Sequence, residues 1–162
     1  MKYETQLCPF CIKEEGREIL IENDIAYATY DKFPVSKGHA LIIPKRHCSN
    51  YFDLTLVEQL SCWNLVNRVK EIITDRLHPD GFNIGINIGE ASGQTIPHVH
   101  IHLIPRYQGD VREPKGGVRG VIPRRKKYPF IKQLLAVDYI QANTTLLGLG
   151  FLQTIIPAYF FK

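Results

Sequence analysis

Three histidines recur at every second position in His98-Val99-His100-Ile101-His102-Leu103-Ile104. Imidazole titrates close to neutrality and serves as nucleophile, acid, base or metal ligand. A period of two is strand periodicity, so one strand face carries His98, His100 and His102 while Val99, Ile101 and Leu103 face the core. Packing alone is a poor reason for three imidazoles on one face. Each buried ring needs partners for two nitrogens, and crowded imidazoles resist being protonated together. A surface strand that happens to be rich in histidine is the plain alternative. The chemical readings are a metal site, a nucleophilic or acid/base cluster, or both.

Polar neutral groups stand just upstream. Gly93-Gln94-Thr95 supplies an amide and a hydroxyl four and three residues before His98, and Asn87 lies a few residues earlier. Amides and hydroxyls beside a histidine cluster suit an anionic substrate whose leaving oxygen must be held. Near the start of the chain, Cys8-Pro9-Phe10-Cys11 is half of a zinc knuckle, and no second Cys-x-x-Cys exists because Cys48 and Cys62 stand alone. The missing ligands would come from elsewhere, with histidine the natural donor. A redox pair or inert thiols are the other readings. Asp31 reads either as a turn residue or as an acceptor for substrate hydroxyls, and His39 either as a satisfied core histidine or as a partner of the triple.

Several elements must position these groups. Residues 18–30 read as two short strands around Glu22-Asn23-Asp24, and residues 39–44 as a buried strand ended by Pro44. Phe82, Ile84, Ile86 and Ile88 alternate with small or polar residues, which makes a strand that forms a hairpin with the histidine strand across a Gly-rich loop. Residues 55–77 form the one strong helix: Thr55 and Glu58 make a capping box, and Leu65, Val69, Ile72, Ile73 and Leu77 keep helical spacing. Cys62 and Trp63 read as core or dimer contacts, and His78 as a solvated loop residue. The order strand, strand, strand, helix, hairpin is α+β with an antiparallel sheet.

Length, composition and charge narrow the class. A chain of 162 residues holds one domain with a real core. A net charge of +4 fits an anionic substrate and is too mild and too scattered to argue for nucleic acid. The first six residues, Met1 to Gln6, lack the apolar run of a signal peptide, which gives the expectation of a cytoplasmic protein with unpaired cysteines. The basic, Gly-rich run Gly116 to Tyr128 is either a solvated loop or the outer end of a polyphosphate site. Leu146 to Phe161 is apolar but interrupted, and as a helix its 16 residues reach only about 24 Å against a bilayer core of ~30 Å. The expectation is therefore no membrane span, with 129–162 a C-terminal extension that packs on the domain or on a partner subunit.

The triple resembles the histidine triad family, whose signature His-φ-His-φ-His-φ-φ (φ apolar) is met by His98 to Ile104 without departure. The Asn87-x-Gly89 and Gly93-Gln94-Thr95 lead-in is similar to that family, as is the run from Asp31 through Pro34, Gly38, His39 and Pro44 to His47. The resemblance covers residues 8 to 128 and implies a histidine triad domain over 1–128. It implies a five-stranded antiparallel sheet with one main helix, dimerised, acting on nucleotides. Its implied site residues are His100, His102, Gln94 and His39 for catalysis, and Asp31, Asn87, Thr95, Gln94 and His102 for nucleotide binding. A further resemblance, to galactose-1-phosphate uridylyltransferases of the wider superfamily, implies a structural zinc held by Cys8, Cys11, His47 and His98.

Pro105-Arg106-Tyr107-Gln108-Gly109-Asp110 resembles the fragile histidine triad branch, which points to dinucleoside polyphosphates. The implied reaction is hydrolysis through a covalent nucleotidyl-histidine on His100. The other classes weighed are a nucleoside phosphoramidase and a nucleotide-binding signalling module with slow hydrolysis. A DNA-end deadenylase would want a C-terminal zinc finger, and no Cys or His follows His102.

Overall fold

Strong strand formers and one capped amphipathic segment set the architecture of this computed structural model, which describes residues 8–12 and 16–127. The elements are β1 (Ile19–Glu22), β2 (Ala26–Tyr30), β3 (Ala40–Pro44), α1 (Leu56–Leu77), β4 (Gly81–Ile86) and β5 (Ile101–Arg106). They form one antiparallel sheet of five strands, as the resemblance implies, in the order β1-β2-β3-β5-β4. Two compact units divide the chain, 1–118 and 119–162. The first holds the sheet and helix. In the second, the described residues make a short turn in which Arg119 donates to the carbonyls of Arg125 (3.0 Å) and Lys126 (3.4 Å). The expected boundary at residue 128 and the extension 129–162 lie outside the described residues.

The helix starts where its capping box requires. The Thr55 hydroxyl accepts from the Glu58 amide, and the Glu58 carboxylate accepts from the Thr55 amide at 2.8 Å. Arg46 clamps the same carboxylate with two bonds of 2.6 and 2.8 Å, which fixes the helix start to the loop after β3 and holds Glu58 down to about pKa 2. The helix ends at His78, whose left-handed φ of 49° closes the last turn with an amide bond to Thr74. His78 is thus a helix cap as well as a surface residue.

One sheet face meets the helix. Ala26, Ala28, Ala40, Ile42, Ile101 and Leu103 pack on Cys62, Leu65, Val66, Val69 and Ile73. Alanines on the strands let the helix approach closely. Gly38 serves the same end: its φ is +85°, and a Cβ there would stand 2.5 Å from Leu77 Cδ1. Trp63 lies at the helix edge, 38% exposed, and donates to the Tyr51 hydroxyl at 3.0 Å.

The histidine strand is shorter than its periodicity suggests. Ladder pairing begins at Ile101, because the Val99 amide bonds the Cys48 carbonyl (2.7 Å) and the His98 amide turns back to Ile96 (2.8 Å). The alternation survives: Ile101 and Leu103 join the helix-side core, while Val99 is buried with Cys48 and Leu54.

Candidate active site and metal centre

The sheet face opposite the helix carries Tyr27, Leu41 and Ile43, with Phe10 packed on them. A cavity of about 720 Å³ opens there, lined by Phe10, Arg17, Tyr30, Asp31, Leu41, Thr95, His100 and His102 among others. Register explains the meeting. Leu41 pairs with His102 across β3 and β5, and His39, two residues before Leu41, is the diagonal neighbour of His102 on the same face.

His100 is 7% exposed and its Nδ1–H donates to the carbonyl of His98 at 2.8 Å. A carbonyl can only accept, so the proton sits on Nδ1 and the lone pair on Nε2. Burial lowers the proton affinity of His100 below its ordinary value. His102 lies beside it, ring centroids 4.9 Å apart, with its pKa pushed down to about 4 by burial and by the neighbouring His100 and His39. The pair is therefore neutral near pH 7, which suits imidazole for attack and for hydrogen bonding to phosphate.

Behind His102 runs a short relay. His102 Nδ1 is 3.1 Å from His39 Nε2, and His39 Nδ1 is 3.3 Å from Asp31 Oδ2. Asp31 also accepts from the Phe33 amide at 2.9 Å, and the Val35 amide reaches His39 Nδ1 at 3.4 Å. His39 is 3% exposed and its proton affinity is lowered, chiefly by burial. Among the described residues every buried side-chain nitrogen and oxygen has a partner.

His98 turns away from the cavity. Its Nε2–H donates to the Pro44 carbonyl at 2.8 Å, leaving Nδ1 bare and 3.4 Å from both Cys8 Sγ and Cys11 Sγ. Cys11 Sγ is 3.2 Å from His47 Nδ1, and the four donor atoms all lie within 4.8 Å of one another. Those separations approach the about 3.6 Å edge of a tetrahedron with zinc–sulfur and zinc–nitrogen bonds of ordinary length. The donor set fits zinc in its chemistry too: two free thiols and two imidazoles, one with its proton already held on the far nitrogen. Burial and the adjacent Cys8 push the Cys11 thiol up to about pKa 11, and a bound dication is what such a pair needs in order to ionise. A Cys2His2 set is closed, so an ion held by these four residues would be structural.

The remaining residues singled out in the sequence are placed less uniformly. Thr95 lines the cavity. Gln94 spans two loops instead: its Oε1 accepts from the Gly89 amide at 2.7 Å and its Nε2 donates to the Ser49 carbonyl at 2.8 Å. Asn87 follows β4, half-buried and outside the cavity lining. Reading the sequence missed Phe10, Arg17, Tyr30 and Leu41 as cavity walls. Leu41 carried a signal in its period-two relation to His39, and Phe10 in its place between two ligand cysteines. Arg17 carried none: it donates to the Pro9 carbonyl (2.6 Å) and the Tyr27 hydroxyl (3.0 Å), contacts no local pattern announces.

Known proteins resemble this chain in sequence and fold. The HIT domain model matches residues 13–109. An uncharacterised HIT-like protein of Saccharolobus solfataricus is 30% identical over 132 residues, covering 80% of this chain and 95% of that protein. A bis(5'-adenosyl)-triphosphatase of Dictyostelium discoideum is 34% identical over 106 residues, 65% of this chain and 70% of its own. An AP-4-A phosphorylase of Mycobacterium tuberculosis is 32% identical over 98 residues, 60% of this chain and 50% of its own. Among solved structures, a zinc-bound histidine triad family protein from Mycobacterium smegmatis superposes with a TM-score of 0.61 at 28% identity, covering 83% of this chain and 99% of its own. With the triad, the five-stranded sheet and the single helix in place, the chain belongs to the histidine triad family.

Proposed function

We propose that the protein hydrolyses dinucleoside polyphosphates or related nucleoside conjugates at the α-phosphorus, through a nucleotidyl group carried on His100. The observation that carries this reading is the His100 tautomer: Nδ1–H tied to a backbone carbonyl, Nε2 bare, the ring on the cavity wall. Nε2 forms the N–P bond as the bond from phosphorus to the bridging oxygen breaks, and the departing phosphate chain takes the electron pair. His102 donates from Nε2 to a phosphate oxygen in the tautomer in which its Nδ1 accepts from His39 Nε2–H and His39 Nδ1 accepts from the Val35 amide. Water then attacks phosphorus, the N–P bond breaks, and His100 regains its neutral form.

Thr95, on the cavity wall, donates to the phosphates, Asp31 accepts from ribose hydroxyls, and Gln94 holds the loop beside the leaving oxygen and orients the water. Asn87, outside the lining, donates to the part of the phosphate chain that extends beyond the cavity. Asp31 has its His39 and Phe33 contacts as well, so ribose binding shares that carboxylate. Cys8, Cys11, His47 and His98 would hold zinc, which would cross-link the segments around the site. We take the catalytic unit as 1–128, acting as a cytoplasmic homodimer. No helix among the described residues is long and apolar enough to cross a membrane.

The test is incubation of wild type and His100→Ala with diadenosine tetraphosphate, with and without inorganic phosphate, followed by chromatography. AMP and ATP from wild type alone, independent of phosphate, are expected. ADP and ATP formed only with phosphate present would make the protein a phosphorylase. Comparable turnover by His100→Ala would refute the covalent route.

A further inference from the structure

His98 belongs to two sites at once. Its side chain closes the Cys8–Cys11–His47 cluster, and its own carbonyl accepts the Nδ1 proton of His100. Phe10 bridges the same two sites in a second way. It sits in sequence between the two cysteines, and its ring meets His98 edge-on at 5.8 Å and His100 at 5.1 Å while forming a wall of the cavity. The knuckle turn is closed by the Cys11 and Ile12 amides on the Cys8 carbonyl at 3.0 and 3.1 Å. Among the described residues, Arg17 also donates to the Pro9 carbonyl and the Tyr27 hydroxyl to the Phe10 carbonyl (2.8 Å), and the Phe10 ring packs on the sheet.

We infer that the metal centre is a positioning device for the nucleotide site: its occupancy sets how tightly nucleotide binds, acting through Phe10 and through the His98 carbonyl. The inference rests on the nucleotide reading of the cavity given above. A dication on these four donors joins three segments that the chain brings from afar: the knuckle, the loop after β3 at His47, and the segment before β5 at His98. Without it the knuckle keeps its few contacts to the sheet, Phe10 no longer has a fixed place over His100, and the cavity loses a wall. Coupling between two sites is reciprocal, so nucleotide must tighten metal binding by the factor by which metal tightens nucleotide binding. The factor expected is about tenfold, within the usual range for coupled sites.

The experiment uses AMP as the probe. AMP affinity is measured by calorimetry on zinc-loaded and chelator-stripped full-length protein, with circular dichroism to establish that the stripped protein is folded. Cobalt affinity is then measured with and without saturating AMP. About tenfold weaker AMP binding in the stripped protein, restored by zinc and matched by the cobalt linkage, is the result expected. Equal AMP affinity in folded loaded and stripped protein overturns the inference. If stripping unfolds the chain, loaded Phe10→Ala decides. With full metal content it should bind AMP more weakly than wild type, and its cobalt absorption bands should not shift when AMP is added, whereas those of wild type should. Wild-type affinity, or a wild-type cobalt shift, in that variant sinks the idea. A loaded enzyme that binds AMP with metal linkage but cleaves no dinucleotide would sink the hydrolase reading alone. Cleavage with the same KM, loaded or stripped, would sink the coupling alone.

Discussion

The two faces of the sheet are made from alternate residues of the same strands and meet different fates. The helix face presents Ala28, Ile42, Ile101 and Leu103 to Leu65, Val69 and Ile73, and is closed by apolar contact alone. The opposite face presents Leu41, His100 and His102 beneath a short cysteine knuckle, which covers too little area and leaves a cavity of about 720 Å³. The lesson is a division of labour within one strand. Ile101 and Leu103 supply stability, and the alternating His100 and His102 supply chemistry that a sealed core could not accommodate, since each imidazole needs partners for two nitrogens.

That division is broken most severely at His100. His100→Ala should lower turnover on the order of 10⁴-fold or more, because removing a nucleophile removes the route and not merely a contact. Its melting temperature should stay close to that of wild type, the ring being at the cavity wall. A variant that loses its fold along with its activity would show that this face is structural as well. Leu103→Ala is the mirror experiment. Leu103 is fully buried against the helix, so the cavity left should cost about 2–5 kcal/mol in urea unfolding. Turnover per folded molecule should be unchanged within about twofold, as expected where sites share no partners. A hundredfold loss in that variant would mean that the faces are not independent.

Gly38→Ala probes the joint between the faces, since Gly38 stands just before His39 and β3. A positive φ costs an L-residue about 1–2 kcal/mol, and the new methyl would meet Leu77 at 2.5 Å. A loss of about 2–3 kcal/mol in stability is expected, with a smaller effect on KM as His39 shifts. Stability equal to wild type would show that the helix end yields.

The same contrast explains which parts were legible in the sequence. Helix α1 was readable to its N-cap because capping chemistry and 3.6-residue spacing are local. The histidine face was readable because period two is local, whereas the cluster of Cys8, Cys11, His47 and His98 was reached through a resemblance, since the Cys-x-x-Cys pair by itself supplies only half of it. The start of β5 was not, since Val99 gives its amide to Cys48, a partner chosen by tertiary packing. His39 was offered as a partner of the triple, but that it meets His102 was not readable, nor was the bracing of Gln94 between Gly89 and Ser49, since both depend on register and loop approach. The cavity walls contributed by Phe10 and Arg17 arise from a segment far in sequence from β5, folded onto it. Local rules say which residues share a face and are silent about what lies opposite.

Protons offer the gentlest way to separate the faces. The folded chain holds His102 down to about pKa 4, against about 6.5 in an unfolded chain. Above pH 6.5 neither state binds that proton and stability does not change through this group. As the pH falls from 6.5 toward 4, the unfolded chain takes the proton while the folded chain resists, so stability declines across that window. His102→Asn removes the group and should flatten the decline by up to about 1.4 kcal/mol per pH unit, one proton's worth. Leu103→Ala, altering only the apolar face, should lower the whole curve and leave its slope alone. Urea unfolding of the three proteins between pH 4.5 and 7.5 (about two units below to one above the free imidazole value) reads both effects. An unchanged slope in His102→Asn would mean that the imidazole titrates freely, and that the site face is wetter than its burial implies.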